Sequence, residues 1–298
     1  MATLPLRPER AAGAQFLSDA FQQELARWNR TRLAPAFPTA DWQHRLAQDM
    51  VMQRLEGAFL EDLRAEIAPL AAEAPDDADQ FVIWFSALEL SGPGQHDRLH
   101  DWLARTASLD EVRWFLQQEA AGEAGFDDLV ALTQIKLPHQ AKLELARNYW
   151  DEMGRGQAPG MHGPMLARLT SGLKLEPAIE TTTLESLALA NAMTAMAASR
   201  RYAWHSVGAL GVIELTAPAR SALTAAALRR LGRPGGERRY FELHAHLDVR
   251  HSEAWLAEAI HPLVAEDGER ARAMAEGALI RLAAGARCYA RYREHFGI

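Results

Sequence analysis

Phe241–Trp255, FELHAHLDVRHSEAW, reads as a helix whose periodicity puts His244, Asp248 and His251 on one face at i, i+4 and i+7. Tyr240, Leu247 and Trp255 continue that face, so the three polar groups sit inside an apolar stripe. Burying a carboxylate and two imidazoles is costly unless something pairs with them. A metal ion would do so, because neutral imidazole and carboxylate together suit zinc, iron or manganese. Taken alone, the triplet equally fits one core histidine beside a solvated aspartate and histidine. The rest of the chain has to decide.

Composition narrows the options. The 298 residues are 48% hydrophobic and 24% charged, ordinary values for a soluble globular protein with a large core. Thirty-two basic against 39 acidic residues give a net charge of −7, which argues against nucleic acid or an anionic membrane as partner. The opening MATLPLRPERAAG has no apolar targeting segment, and no stretch is long and apolar enough to span a bilayer, so a cytoplasmic location is expected. Cys288 is the sole cysteine, which excludes disulfides and cysteine-held zinc or iron–sulfur sites. Any metal must be held by His, Asp and Glu.

Working outward, every element reads as helix. Stretches 8–30, 41–70, 77–90 and 96–107 carry helix-period apolar residues, and His44, His96 and His100 among them read as surface or packing residues. Ser108–Glu111 matches a capping box opening one helix through Lys136, and Thr182–Glu185 a second box opening an Ala-rich run to about Leu215. Glu119 and Glu123 lie one turn apart in the first of these; as isolated residues they are equally two solvated carboxylates. LPHQ at 137–140 turns the chain back, so an antiparallel pair would set Glu123 beside Glu152. His162 follows Glu152 by ten residues, a spacing that needs the irregular GRGQAPG between them if both are to share a site. Glu214 ends an apolar stripe, where it either reaches solvent or meets a cation. Further helices are expected at 219–231 and 269–292. Period-2 alternation is absent, as are dinucleotide, P-loop, nucleophile-elbow and HExxH motifs. The expected fold is an all-α bundle in one domain over 1–298: helices 1–107 packing on a core, core helices 108–265, and a C-terminal helix 266–298.

The order Glu, Glu-x9-His, His-x3-Asp-x2-His over roughly residues 80–265 resembles the haem-oxygenase-like diiron oxidases and oxygenases, the iron-containing redox enzymes. That resemblance implies a haem-oxygenase-like helical bundle binding two non-haem iron ions. The implied ligands are Glu123, Glu152, His162, His244, Asp248 and His251, with Glu214 at the place of a further carboxylate in some members and Glu119 as the alternative to Glu123. Where some members carry one more carboxylate three residues before the second-helix histidine, this chain has Pro159. The implied activity is O2 activation to oxidise a small organic substrate (an amine, an amino acid or a fatty-acid-like molecule), with an external electron donor. A homodimer is common for such bundles, but no heptad or long exposed apolar stripe marks one here. A true haem oxygenase would leave most of these ligand types without a role. A thiaminase-like hydrolase would have to rely on Cys288, remote from the motifs. The non-enzyme alternative is a metal-free helical binding or regulatory protein of the same fold.

Overall fold

The computed structural model describes residues 16–122 and 125–298, and no strand occurs among them. The first four helices are α1 (Asp19–Leu33), α2 (Trp42–Ala71), α3 (Ala78–Ser91) and α4 (Arg98–Arg105). Then come α5 (Leu109–Gly122), α6 (Phe126–Thr133), α7 (His139–Glu152), α8 (His162–Leu173) and α9 (Leu184–Ala198). The chain closes with α10 (Ala203–Arg230), α11 (Gly235–Ala254), a wider π turn at Trp255–Ile260, α12 (His261–Glu266) and α13 (Glu269–Phe296).

The Ser108 box forms as expected: Ser108 N donates to Glu111 Oε2 at 2.7 Å and Glu111 N to Ser108 Oγ at 3.3 Å. The Thr182 box does not. Thr183 takes the N-cap position, while the Thr182 hydroxyl donates to the Ala178 carbonyl at 2.6 Å. The single helix expected over 108–136 is described as two, α5 ending at Gly122 and α6 starting at Phe126 after Gly125, which has φ +71°. The Ala-rich run is likewise cut at Ser199–Tyr202, and the break expected near 216–218 is absent. There α10 runs straight through Pro218, whose ring nitrogen has no hydrogen to give the Glu214 carbonyl four residues back. The N-terminal helix begins at Asp19 within the described residues.

The centre of the bundle is α10, buried on nearly all sides and flanked by α11 and α13. A helix surrounded in this way carries apolar residues around its whole circumference and shows no amphipathic stripe. Small residues bring α10 and α13 together: a methyl group on Gly208 would overlap the Met274 carbonyl, and one on Gly277 would overlap that of His205. Beside this crossing Glu276 accepts from Arg64 Nε (2.7 Å) and Arg272 Nε (3.0 Å) and pairs with His205 Nε2 (3.1 Å). Burial would raise its pKa, but these three partners outweigh it and hold the carboxyl at about 2. Trp42, Leu46 and Met50 at the start of α2 are exposed.

If the α10–α13 approach sets the bundle, Gly277→Ala should lower stability by about 1–3 kcal/mol through forced separation of the backbones. Gly57→Ala, on α2 with open space for at least 4 Å around the added methyl, should be neutral or gain up to about 1 kcal/mol of helix propensity. Thermal unfolding of the two variants side by side checks both.

Candidate metal centre

Four elements deliver the site. Glu152 closes α7, His162 opens α8, Glu214 lies mid-way along α10, and His244, Asp248 and His251 line one face of α11. Joining Glu152 to His162 takes two tight turns, Gly154–Gly156 and Ala158–Gly160. Gly154 adopts φ +60° against the Gly160 backbone, a left-handed conformation with no room for a side chain, so the GRGQAPG interruption is what folds the two residues together. Arg155, also at positive φ (52°), is anchored by its Nε bond to Asp151 Oδ1 at 2.6 Å.

Donor atoms of Glu152, His162 and His244 lie within 4.8 Å of one another, and so do those of Glu152, Glu214 and His251. Two groups of three thus share the Glu152 carboxylate. Asp248 stands beside the second, its Oδ1 3.9 Å from His251 Nδ1. All six side chains are buried except His244, which is partly so. Glu123 lies outside the described residues. Glu119 belongs to neither group: its carboxylate accepts from the Tyr292 hydroxyl at 3.1 Å.

Hydrogen bonds orient the imidazoles. His244 Nδ1 is 2.6 Å from the Tyr240 carbonyl, which only accepts, so Nδ1 carries the hydrogen and Nε2 the lone pair. His251 Nε2 donates to Asp151 Oδ2 at 3.1 Å, turning Nδ1 toward Glu214 Oε2 at 3.4 Å. His162 meets the Glu152 carboxylate through Nδ1. Asn148 Nδ2 donates to Glu214 Oε1 at 2.5 Å. After these contacts His162 Nε2, His251 Nδ1 and Asp248 Oδ1 remain buried with no hydrogen-bond partner among the described residues. Buried polar atoms are nearly always satisfied, so unpartnered atoms on residues of both donor groups and on Asp248 beside them fit a site for cations.

The electrostatics agree. Burial pushes His162 down to about 4, and burial with the neighbouring His162 pushes His244 down to about 4, so both imidazoles are neutral ligand forms. Burial, then the Glu214 and Glu152 carboxylates, drive Asp248 well above the usual carboxylate range. For His251 burial favours the neutral ring, but Glu214, Asp151 and Glu152 outweigh it and raise the pKa to about 9. The protein thus places a proton on His251 and disfavours charge on Asp248, as expected where negative charge is crowded without its counter-ion.

The site opens on a cavity of about 190 Å³ reaching Glu119, Arg220, Arg281 and Tyr292, with apolar walls that include Phe126, Leu166, Leu189, Met193 and Phe241. None of Trp150, Trp204 and Trp255 lines it: Trp255 is fully buried and donates to the Val207 carbonyl, and Trp150 is exposed. His100, expected as a surface or packing residue, packs edge-on against Tyr289 at 4.7 Å and forms part of the wall. Asn148, Asp151 and the two arginines escaped the sequence reading, because nothing in their spacing marks them. Asp151 had only its place next to Glu152 as a signal.

Acid sensitivity follows from the two low histidines. Their folded pKa of about 4 lies below the reference 6.5, so the unfolded chain binds more protons between these values. The metal-free protein should lose about 1–3 kcal/mol per histidine as pH falls from 6.5 to 4. His251 acts in the opposite sense: its contribution is complete below pH 6.5 and is lost as pH rises through about 9. Urea midpoints against pH check this, and the acid limb should flatten in His162→Gln and His244→Gln.

No curated protein matches the chain. A crystal structure of a CADD-like protein of unknown function from Nostoc punctiforme PCC 73102 is similar with a TM-score of 0.52 at 16% identity, over 79% of this chain and 97% of that one. A second crystal structure of a CADD-like protein of unknown function from the same organism gives 0.48 at 17%, over 79% and 95%. The first likeness concerns the fold alone, an all-α haem-oxygenase-like bundle. The family model described as iron-containing redox enzyme matches residues 113–286, a span that holds every carboxylate and histidine of the two donor groups as well as Asp248. With more than half its length matched, this chain belongs to the iron-containing redox enzyme family of haem-oxygenase-like proteins.

Proposed function

We propose that the protein is a non-haem diiron oxidase or oxygenase that activates O2 to oxidise a small organic substrate, drawing electrons from an external donor. The observation that carries this reading is the pair of donor groups sharing Glu152: one carboxylate between a pair of imidazoles, His162 and His244, on one side and an imidazole with a carboxylate, His251 and Glu214, on the other is an arrangement that suits two adjacent cations. The donor chemistry, three carboxylates and three imidazoles without a thiolate, suits iron. Glu152, His162 and His244 would hold one ion and Glu152, Glu214, His251 and Asp248 the other, with Glu123 or Glu119 as a further carboxylate. When bound, iron supplies the redox chemistry with O2 that no side chain of this chain can perform.

The remaining work falls to the protein. Asp151 and the Tyr240 carbonyl fix the tautomers of His251 and His244, so each ring presents a lone pair or an exchangeable proton inward. For His251 to serve as a ligand its Nδ1 would have to give up its proton, and the Asp151 contact on Nε2 would hold the ring in place. Asn148 holds Glu214 against the bundle. The apolar cavity walls exclude water from the reacting region and leave a volume for substrate beside Glu152, Glu214 and His244.

Iron per chain after anaerobic loading tests the proposal. The wild type should retain about two Fe, and His244→Ala markedly less, together with smaller thermal stabilisation by added ferrous iron. A wild type that binds no iron, and whose stability is the same in His244→Ala, would instead identify a metal-free helical binding protein. Asp151→Asn, which leaves all direct donors in place, should weaken iron retention about 10–100-fold.

A further inference from the structure

The N-terminal end of α2 and the loop before it stand clear of the bundle. Residues 33–48 are all exposed, and so are Met50 and Val51. Six side chains of this run are large and apolar: Leu33, Phe37, Trp42, Leu46, Met50 and Val51, with Phe37 keeping 92% of its surface and Trp42 59%. Exposed apolar residues scattered singly are ordinary, whereas six in one run mark a contact surface. Together they present roughly 600 Å² of apolar surface, against the roughly 800 Å² that each partner of a standard interface buries. A lipid surface fits this patch poorly. Residues 34–38, which include Pro35 and Pro38, make no backbone–backbone hydrogen bond among the described residues, and hydrocarbon would leave their polar groups unpaired. The net charge of −7 also opposes an anionic bilayer. The patch lies outside residues 113–286, the span matched by the family model.

We propose that this face binds a second copy of the chain, with the two α2 helices antiparallel about a two-fold axis beside Leu46. Trp42, Leu46 and Met50 recur at i, i+4 and i+8 and so share one face of the helix. Their order is symmetric about Leu46. An antiparallel copy sets Trp42 against the partner's Met50, a ring–sulfur contact at each end, and Leu46 against the partner's Leu46. Arg45 and Asp49 lie one turn apart on a flank of that face and carry opposite charge. The two-fold operation turns this flank onto itself in reverse order, which brings Arg45 of each chain beside the partner's Asp49. Such self-complementarity is what a two-fold interface requires and what a foreign partner does not. Arg45 is held only by an exposed pair with Asp41 at 3.1 Å, and an exposed pair costs little to exchange. Asp49 accepts from Trp28 Nε1 at 2.8 Å and pairs with no cation among the described residues.

Sedimentation velocity of the full chain across the micromolar range tests it. A dimer is expected. Leu46→Glu, which sets two carboxylates against each other at the axis, should weaken it at least about tenfold and leave the far-UV circular dichroism unchanged. Ile83→Glu, at an equally exposed apolar residue of α3, should leave association as it is. Oxidation of an equimolar mixture of Trp42→Cys and Met50→Cys chains should cross-link unlike chains in preference to like ones, and the buried Cys288 does not compete. A monomer throughout the range overturns the proposal; if that monomer sediments with phosphatidylcholine vesicles, the patch belongs to a lipid surface instead. A dimer indifferent to Leu46→Glu overturns it, because the interface then lies elsewhere. Cross-linking of like chains in preference to unlike ones overturns it as well, because the helices are then not antiparallel. None of these readouts involves iron, so they stand apart from the test of the metal centre.

Discussion

Three carboxylates, Glu152, Glu214 and Asp248, are brought into one dry space, and much of the structure is arranged around that crowding. Like charges so placed cannot all ionise without a cation, and the protein shows the strain in two ways: Asp248 is driven toward its protonated form, and His251 retains a proton well above its ordinary range. A bundle that buries such a group gains nothing in stability from it. A cation held by these residues would offset the crowding, and the chain belongs to an iron-containing family.

The scaffold that tolerates this load is stiff where it needs to be. The helix carrying Glu214, α10, is wedged between α11 and α13, with Gly208 and Gly277 letting α10 and α13 approach backbone to backbone. Glu276 ties α2, α10 and α13 by accepting from two arginines and pairing with His205. At the site itself, Pro218 removes a hydrogen bond from the helix at the Glu214 carbonyl, while Asn148 grips the Glu214 side chain from α7. Rigidity of the surrounding helices and local loosening at a donor residue coexist within one turn.

The cavity joins two environments of opposite sign. Its lining includes the carboxylates of Glu152, Glu214 and Asp248, and also the guanidiniums of Arg220 and Arg281 with the carboxylate of Glu119. In a low-dielectric interior each would be costly alone.

The sequence by itself determined that the chain is helical and which carboxylates and histidines to look for as candidate metal donors. The i, i+4, i+7 spacing of His244, Asp248 and His251 survives folding because helix geometry is local, and the Gly/Pro interruption between Glu152 and His162 does bend the two together. Local patterns failed where the backbone had choices that only packing settles: the Thr182 box, the break near Gly125, and the passage of α10 through Pro218. Tertiary structure alone decided that Asp151 and Asn148 stand behind the donors, that Glu119 turns to Tyr292, and that Arg281 lines the same cavity as the donors. These are contacts across 66 to 173 residues of chain, and helical periodicity carries no information over such separations.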